Sequence, residues 1–157
     1  MVASTYRRLQ RFFQHVCLPE DWTVGIVTAL IGRPERWYLC LDRTNWKIGR
    51  SDVNVLVLAV VTEKFRVPLM WTLLSHPGNS TTAQRISLMR RYLALFDVSS
   101  VRMLLADREF IGQEWFAFLL EHRIPFCIRL KEEQIIQVEG RTLVSATALL
   151  YAARLDV

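Results

Sequence analysis

Hydrophobic positions near the start of the chain repeat with a helical period. Tyr6, Leu9, Phe12, Phe13 and Val16 fall three and four residues apart, and Pro19 follows as a stop, which predicts a first helix. A second runs from Trp22 towards Ile31, closed by Gly32 with Pro34 just beyond. The pattern then changes. Arg36-Trp37-Tyr38-Leu39-Cys40-Leu41 is a short run of strand length that ends at Asp42. Val53 to Val61, rich in β-branched residues, predicts a buried second strand. Thr62-Glu63-Lys64 is a polar break, and Phe65 to Leu74 reads as a third strand. Breaks this short favour antiparallel hairpins, so the three strands form a meander.

His76-Pro77-Gly78-Asn79-Ser80 is a loop by composition. Thr81 with Gln84 three residues later fits a capping box, in which each side chain takes a backbone N–H at a helix start. Ile86, Met89, Leu93 and Phe96 predict the apolar face of that helix. Val101 to Ala106 is a fourth strand and again ends at an aspartate, Asp107. Gly112 to His122 reads as a helix and Pro125 to Leu130 as a fifth strand. A strand–helix–strand unit within one sheet is normally a right-handed parallel crossover. The expected class is therefore α/β: three antiparallel strands, then two parallel crossover strands, with flanking helices. That is the RNase H-like arrangement, here expected over residues 36–131, after a helical segment at 1–35.

Composition narrows the classes. With 157 residues, 52% of them hydrophobic, the chain suits one sizeable core and is not disordered. No apolar run approaches the roughly 20 residues that span a bilayer, and no apolar signal core follows Arg7-Arg8. A cytoplasmic protein with no membrane partner is expected. Cys17, Cys40 and Cys127 are odd in number and set among apolar residues, which predicts buried thiols rather than disulfides or a zinc site. A formal charge of +5 is compatible with a polyanionic partner. Without a Gly-rich phosphate loop, no nucleotide cofactor is expected. His15, His76 and His122 have no evident partners for a hydrolase triad.

The candidate chemistry lies at the two strand ends. If strands one and four are parallel neighbours, Asp42 and Asp107 emerge at one edge of the sheet, where open α/β sheets bind ligands. Adjacent carboxylates repel, and a divalent cation between them relieves it; Mg²⁺ accepts one or two carboxylates plus water and phosphate oxygens. Either aspartate alone would be an ordinary turn or capping residue. Their matched positions are what point to a site. Arg43, Lys47, Arg50 and Arg108 cluster around them in sequence and suit substrate phosphates. Trp46 suits stacking on a base, and Asn45 suits orienting a metal-bound water. Arg85, Arg90 and Arg91 read as a solvated helix face.

Leu41-Asp42-Arg43-Thr44-Asn45-Trp46-Lys47-Ile48-Gly49 resembles the first catalytic block of DDE transposases of the insertion-sequence-4 family. Leu105-Ala106-Asp107-Arg108-Glu109-Phe110-Ile111-Gly112, followed by Trp115-Phe116, resembles the second block, and Pro125 to Lys131 is similar to the strand that follows. The resemblance implies metal-dependent DNA strand cleavage and strand transfer at transposon ends, with Asp42 and Asp107 holding Mg²⁺ (or Mn²⁺). It also implies DNA as the partner, a homodimer in a synaptic complex and association with the nucleoid.

Family members add a glutamate within a motif of Tyr, two residues, Arg, three residues, Glu, six residues, Lys. Tyr151-Ala152-Ala153-Arg154 fits its opening, and the glutamate would fall at position 158, one past Val157. Residues 132–157 are then the start of an insertion or of the third-carboxylate region, with Glu139-Gly140-Arg141 as a hairpin turn. Glu109, Glu132 and Glu133 are poor substitutes, so the chain is expected to be truncated before its third carboxylate and inactive alone. The alternative expectation is a non-catalytic DNA-binding or assembly module derived from such an enzyme.

Overall fold

Trp37–Ile48 (β1) and Ser51–Val61 (β2) form a long antiparallel hairpin whose register pairs Tyr38 with Val61 and Ile48 with Ser51. Its two-residue turn is Gly49-Arg50, and Gly49 takes φ +63°, a conformation that glycine adopts without a Cβ penalty. The first strand therefore does not end at Asp42, as its apolar run suggests, but continues six residues beyond. The physical reason is the partner: Arg43 to Ile48 are mostly polar, yet their backbone groups are satisfied by residues 51–56 of β2. The structure, a computed structural model, describes residues 2–16, 21–32, 35–131, 135–136 and 144–145.

A four-residue link, in which the Thr62 amide donates to the Phe65 carbonyl at 2.9 Å, leads into Arg66–Leu74 (β3). This strand lies at the sheet edge, where Pro68 costs no ladder bond, and the register shifts beside it between Leu58 and Ala59. Val101–Ala106 (β4) pairs parallel with β1, and Phe126–Ile128 (β5) pairs parallel with β4. The sheet order is β3-β2-β1-β4-β5, the RNase H-like arrangement of three antiparallel strands followed by two parallel ones.

Between β3 and β4 runs Thr82–Leu95 (α3), and between β4 and β5 Gln113–Glu121 (α4). The capping box forms: the Gln84 amide donates to Thr81 Oγ1 at 3.3 Å and the Thr81 amide to Gln84 Oε1 at 2.8 Å. The buried face of α3 is Arg85, Leu88, Met89 and Tyr92, whereas Ile86 and Leu93 are only half-buried. The expected apolar stripe is thus rotated, because an arginine takes an inward position that a hydrophobic count assigns to solvent.

Strand alternation gives the sheet two unlike faces. Leu39, Leu41, Leu56, Leu58 and Leu104 are almost fully buried on one of them. The helices cover that face: Phe96, at the end of α3, packs on Trp37 with ring centroids 5.0 Å apart, and Phe116 of α4 stacks on Phe126 at 5.5 Å. On the opposite face Asp42, Thr44 and Trp46 follow one another along β1, and an apolar groove runs between Trp46, Val55, Val57 and Trp71.

The chain divides into two compact units, Met1–Arg33 and Pro34–Val157. The first holds Val2–His15 (α1) and Trp22–Ile31 (α2); on α2 the buried Thr28 hydroxyl is satisfied by the Val24 carbonyl at 2.8 Å. Near the other end, Ile135–Ile136 (β6) and Val144–Ser145 (β7) pair antiparallel on either side of residues 137–143. Glu132, Glu133, Glu139-Gly140-Arg141 and Tyr151 to Arg154 themselves lie outside the described residues, as does Cys17. Among the described residues no helix is long and apolar enough to cross a membrane.

Candidate metal and DNA site

The parallel register of β1 and β4 ends at Leu41 opposite Ala106. Asp42 is the next residue of β1 and Asp107 the residue just past the end of β4, so both emerge at one end of two neighbouring strands, which run about 4.8 Å apart. Alternation sends both side chains to the face away from the helices. Both line one open cleft of about 500 Å³, with Cys40, Arg66, Cys127 and Arg129 among its walls.

Each aspartate makes the same local contact. Asp42 Oδ1 accepts from the Arg43 amide at 2.8 Å, and Asp107 Oδ1 accepts from the Arg108 amide at 2.8 Å. For Asp107 this is a cap on the 3-10 turn Arg108–Phe110, so the ordinary capping role and the candidate role coexist. The carboxylates are otherwise open: the side chains are 59% and 55% exposed. Arg66 Nη1 lies 3.8 Å from Asp42 Oδ2, and Arg129 Nη1 lies 3.9 Å from Asp107 Oδ1.

The donor set suits a hard divalent cation. Two adjacent carboxylates with room for water and phosphate oxygens match what Mg²⁺ or Mn²⁺ accepts. Cys40 also lines the cleft, but burial raises its thiol pKa, with Arg66 opposing and Asp42 adding to the rise, which disfavours the thiolate a metal would need. Among the described residues no group of three or more His, Cys, Asp or Glu could hold a metal. Glu109 does not join the pair. It bonds to Arg43, which alternation places on the opposite face of β1 from Asp42.

The remaining sequence candidates separate in space. Because Arg43 to Ile48 form a strand, Arg43, Asn45 and Lys47 fall on one face and Trp46 on the face of Asp42. Arg43 is engaged internally with Glu109 and Asn45. Lys47 and Arg50 sit towards the hairpin tip, and Ile48 at its end is about 20 Å beyond Asp42 by the rise per residue. Lys47 is highly exposed, with Asp52 3.9 Å away. Trp46 is 59% exposed, and Arg108 is exposed beside Asp107.

Sequence reasoning missed Arg66 and Arg129. Arg129 follows directly after β5, its amide bonded to the Ala106 carbonyl at 3.0 Å, so the strand-end logic that found the aspartates also reaches it. Arg66 enters across two hairpins, which only the register reveals. Two further expectations are corrected. Cys127 is exposed, because it lies on the short edge strand β5 and faces the cleft. The arginines of α3 are not a solvated face: Arg85 is buried, Arg91 Nη1 donates to the Trp71 carbonyl at 3.1 Å, and exposed Arg90 lies over the Phe118 ring at 5.8 Å.

Residues 33–153 match the family described as Transposase DDE domain. No curated protein matches the sequence. Among solved structures, the chain is similar to a simian T-cell lymphotropic virus intasome in complex with the PP2A regulatory subunit B56 gamma. That match has a TM-score of 0.47 and 14% identity, over 62% of this chain and 33% of that one. It is also similar to the HTLV-2 integrase catalytic core domain in complex with magnesium, in dimeric form, with a TM-score of 0.45 and 15% identity over 60% of this chain and 61% of that one. The chain thus spans less than two thirds of each.

Proposed function

We propose a function that starts from family membership: the chain belongs to the Transposase DDE domain family. Asp42 and Asp107 hold Mg²⁺ (or Mn²⁺) in a transposase catalytic core that cleaves and transfers DNA strands at transposon ends. The observation that carries this is their placement one residue past the last parallel pair of β1 and β4, both facing one open cleft. The sequence blocks around them support the insertion-sequence-4 branch. Such a protein works in the cytoplasm on nucleoid DNA, as a homodimer that pairs two transposon ends.

When bound, the cation activates the attacking oxygen and stabilises the leaving one in phosphodiester displacement. The chain's own residues supply the rest. Asp42 and Asp107 are oriented by the amides of Arg43 and Arg108, which fix one oxygen of each carboxylate and leave the group open to the cleft. Arg66, Arg108 and Arg129 neutralise phosphate near the carboxylates, while Lys47 and Arg50 hold flanking backbone at the hairpin tip. Trp46 stacks on a base along the same face as Asp42.

Mn²⁺ titration followed by electron paramagnetic resonance tests the site. The wild-type chain binds Mn²⁺, and Asp42→Asn or Asp107→Asn each weakens it more than tenfold. Equal binding by wild type and both variants would sink the reading. Among the described residues no third carboxylate joins Asp42 and Asp107, which supports a second reading, a DNA-binding or assembly module without cleavage. Duplex binding that is unaltered in Asp42→Ala, with no metal-dependent nicking, selects it.

A further inference from the structure

Arg43 and Glu109 each lie within two residues of a site aspartate, yet on the side of the sheet away from the cleft. Their side chains are 16% and 22% exposed. Arg43 Nε and Nη2 both donate to Glu109 Oε2, at 3.2 and 3.1 Å. Nη1 donates to Asn45 Oδ1 at 2.6 Å and to Asn54 Oδ1 at 3.4 Å. Asn54 is itself pinned: its Nδ2 donates to the carbonyls of His76 and Gly78, each at 2.9 Å. The main chain of Glu109 is held from the other side, where Arg85 Nη2 donates to its carbonyl at 3.1 Å.

The ladder explains why such a link matters. Parallel pairing between β1 and β4 stops at Leu41 and Ala106, so no pair of that ladder fixes Asp107 relative to Asp42. Beyond that point the chain folds into the 3-10 turn Arg108–Phe110, and Glu109 of this turn is tied to β1 through Arg43. The ion pair crosses the gap immediately behind the two carboxylates. As a pair it brings no net charge to the site, so it acts on a bound cation through the geometry of the two carboxylates.

We infer that Arg43 and Glu109 form a clasp that sets the separation and orientation of Asp42 and Asp107, making both positioning residues for the cation site. This rests on the reading of the two aspartates as that site. Partners of this kind, behind the ligands, commonly govern metal affinity by ten- to a hundredfold.

The test uses the full chain with Mn²⁺ as the probe, and compares wild type, Arg43→Gln, Glu109→Gln, the swapped pair Arg43→Glu with Glu109→Arg, and Asp42→Asn. Each single change at the clasp is expected to weaken Mn²⁺ binding about tenfold, and the swapped pair to regain most of the loss. Circular dichroism confirms the fold, and Glu109→Gln keeps shape and volume so that it folds. A merely structural role predicts a lower melting temperature with unchanged Mn²⁺ affinity, which overturns the clasp. So does a swap that restores nothing. If Asp42→Asn also binds Mn²⁺ like wild type, the metal site itself fails; if only Asp42→Asn loses binding, the clasp alone does.

Discussion

Arg85 donates to Ser80 twice, from Nε to the hydroxyl at 3.0 Å and from Nη2 to the carbonyl at 2.7 Å. Both residues are buried, and the guanidinium also lies over the Phe110 ring at 5.2 Å. Burial lowers the Arg85 pKa and the charge of Glu109 opposes that. This arginine joins the loop before α3 to the turn after Asp107. Arg85→Leu leaves the Ser80 and Glu109 carbonyls without their charged donor, and is expected to cost about 2–3 kcal/mol. Urea unfolding of the variant checks it; a loss below half of that would mean the loop rearranges to satisfy itself.

Gly49 supplies a second stability test. Its φ of +63° starts the two-residue turn that carries the hairpin tip, and an added Cβ would meet no neighbouring atom within 4 Å. Any cost is therefore conformational rather than steric crowding by neighbours. Gly49→Ala is expected to destabilise by about 1 kcal/mol, the penalty for a left-handed L-residue. Denaturant midpoints of the two proteins measure it, and an unchanged midpoint would show that the turn shifts to another type.

The sheet was readable because its signals are local: β-branched runs, a two-turn meander, one capping box and two short crossovers. Val101–Ala106 and Trp22–Ile31 match their sequence readings. The extension of β1 to Ile48 was not readable, since six largely polar residues become a strand only through their partner β2. That one element decides the site's layout. As a loop, Arg43 to Arg50 would surround the aspartates; as a strand, alternation divides them between two faces and carries Lys47 and Arg50 away along the hairpin. Arg66 was illegible for a similar reason, as its approach to Asp42 depends on register across three strands.

The two cleft thiols should differ in reactivity. Cys127 is exposed, whereas Cys40 is buried with its pKa raised chiefly by that burial. A raised thiol pKa lowers the thiolate fraction at any given pH below it, so Cys40 alkylation is slow near pH 8 and quickens only as the solution becomes more alkaline. Iodoacetamide labelling with peptide mass mapping is expected to find Cys127 modified about tenfold faster or more at pH 8. Comparable rates at the two positions would mean that the sheet opens readily around β1, where Cys40 pairs with Ala59 of β2 and Leu105 of β4.

Salt dependence separates a cleft on the DNA path from one beside it. Arg66 and Arg129 are exposed, at 64% and 78% of their side-chain surface, and flank the aspartates from the start of β3 and from just past β5. Removing them takes two positive charges from the cleft without opening the core. Each phosphate neutralised contributes about −0.9 to the slope of log K against log[salt], through release of condensed counterions. The Arg66→Ala, Arg129→Ala double variant is therefore expected to bind duplex DNA more weakly, with a slope shallower by about 1.8. Fluorescence anisotropy across a salt series reads both quantities at once. A weaker complex with an unchanged slope would assign the loss to altered shape, and an unchanged affinity and slope would place the DNA path away from Asp42 and Asp107.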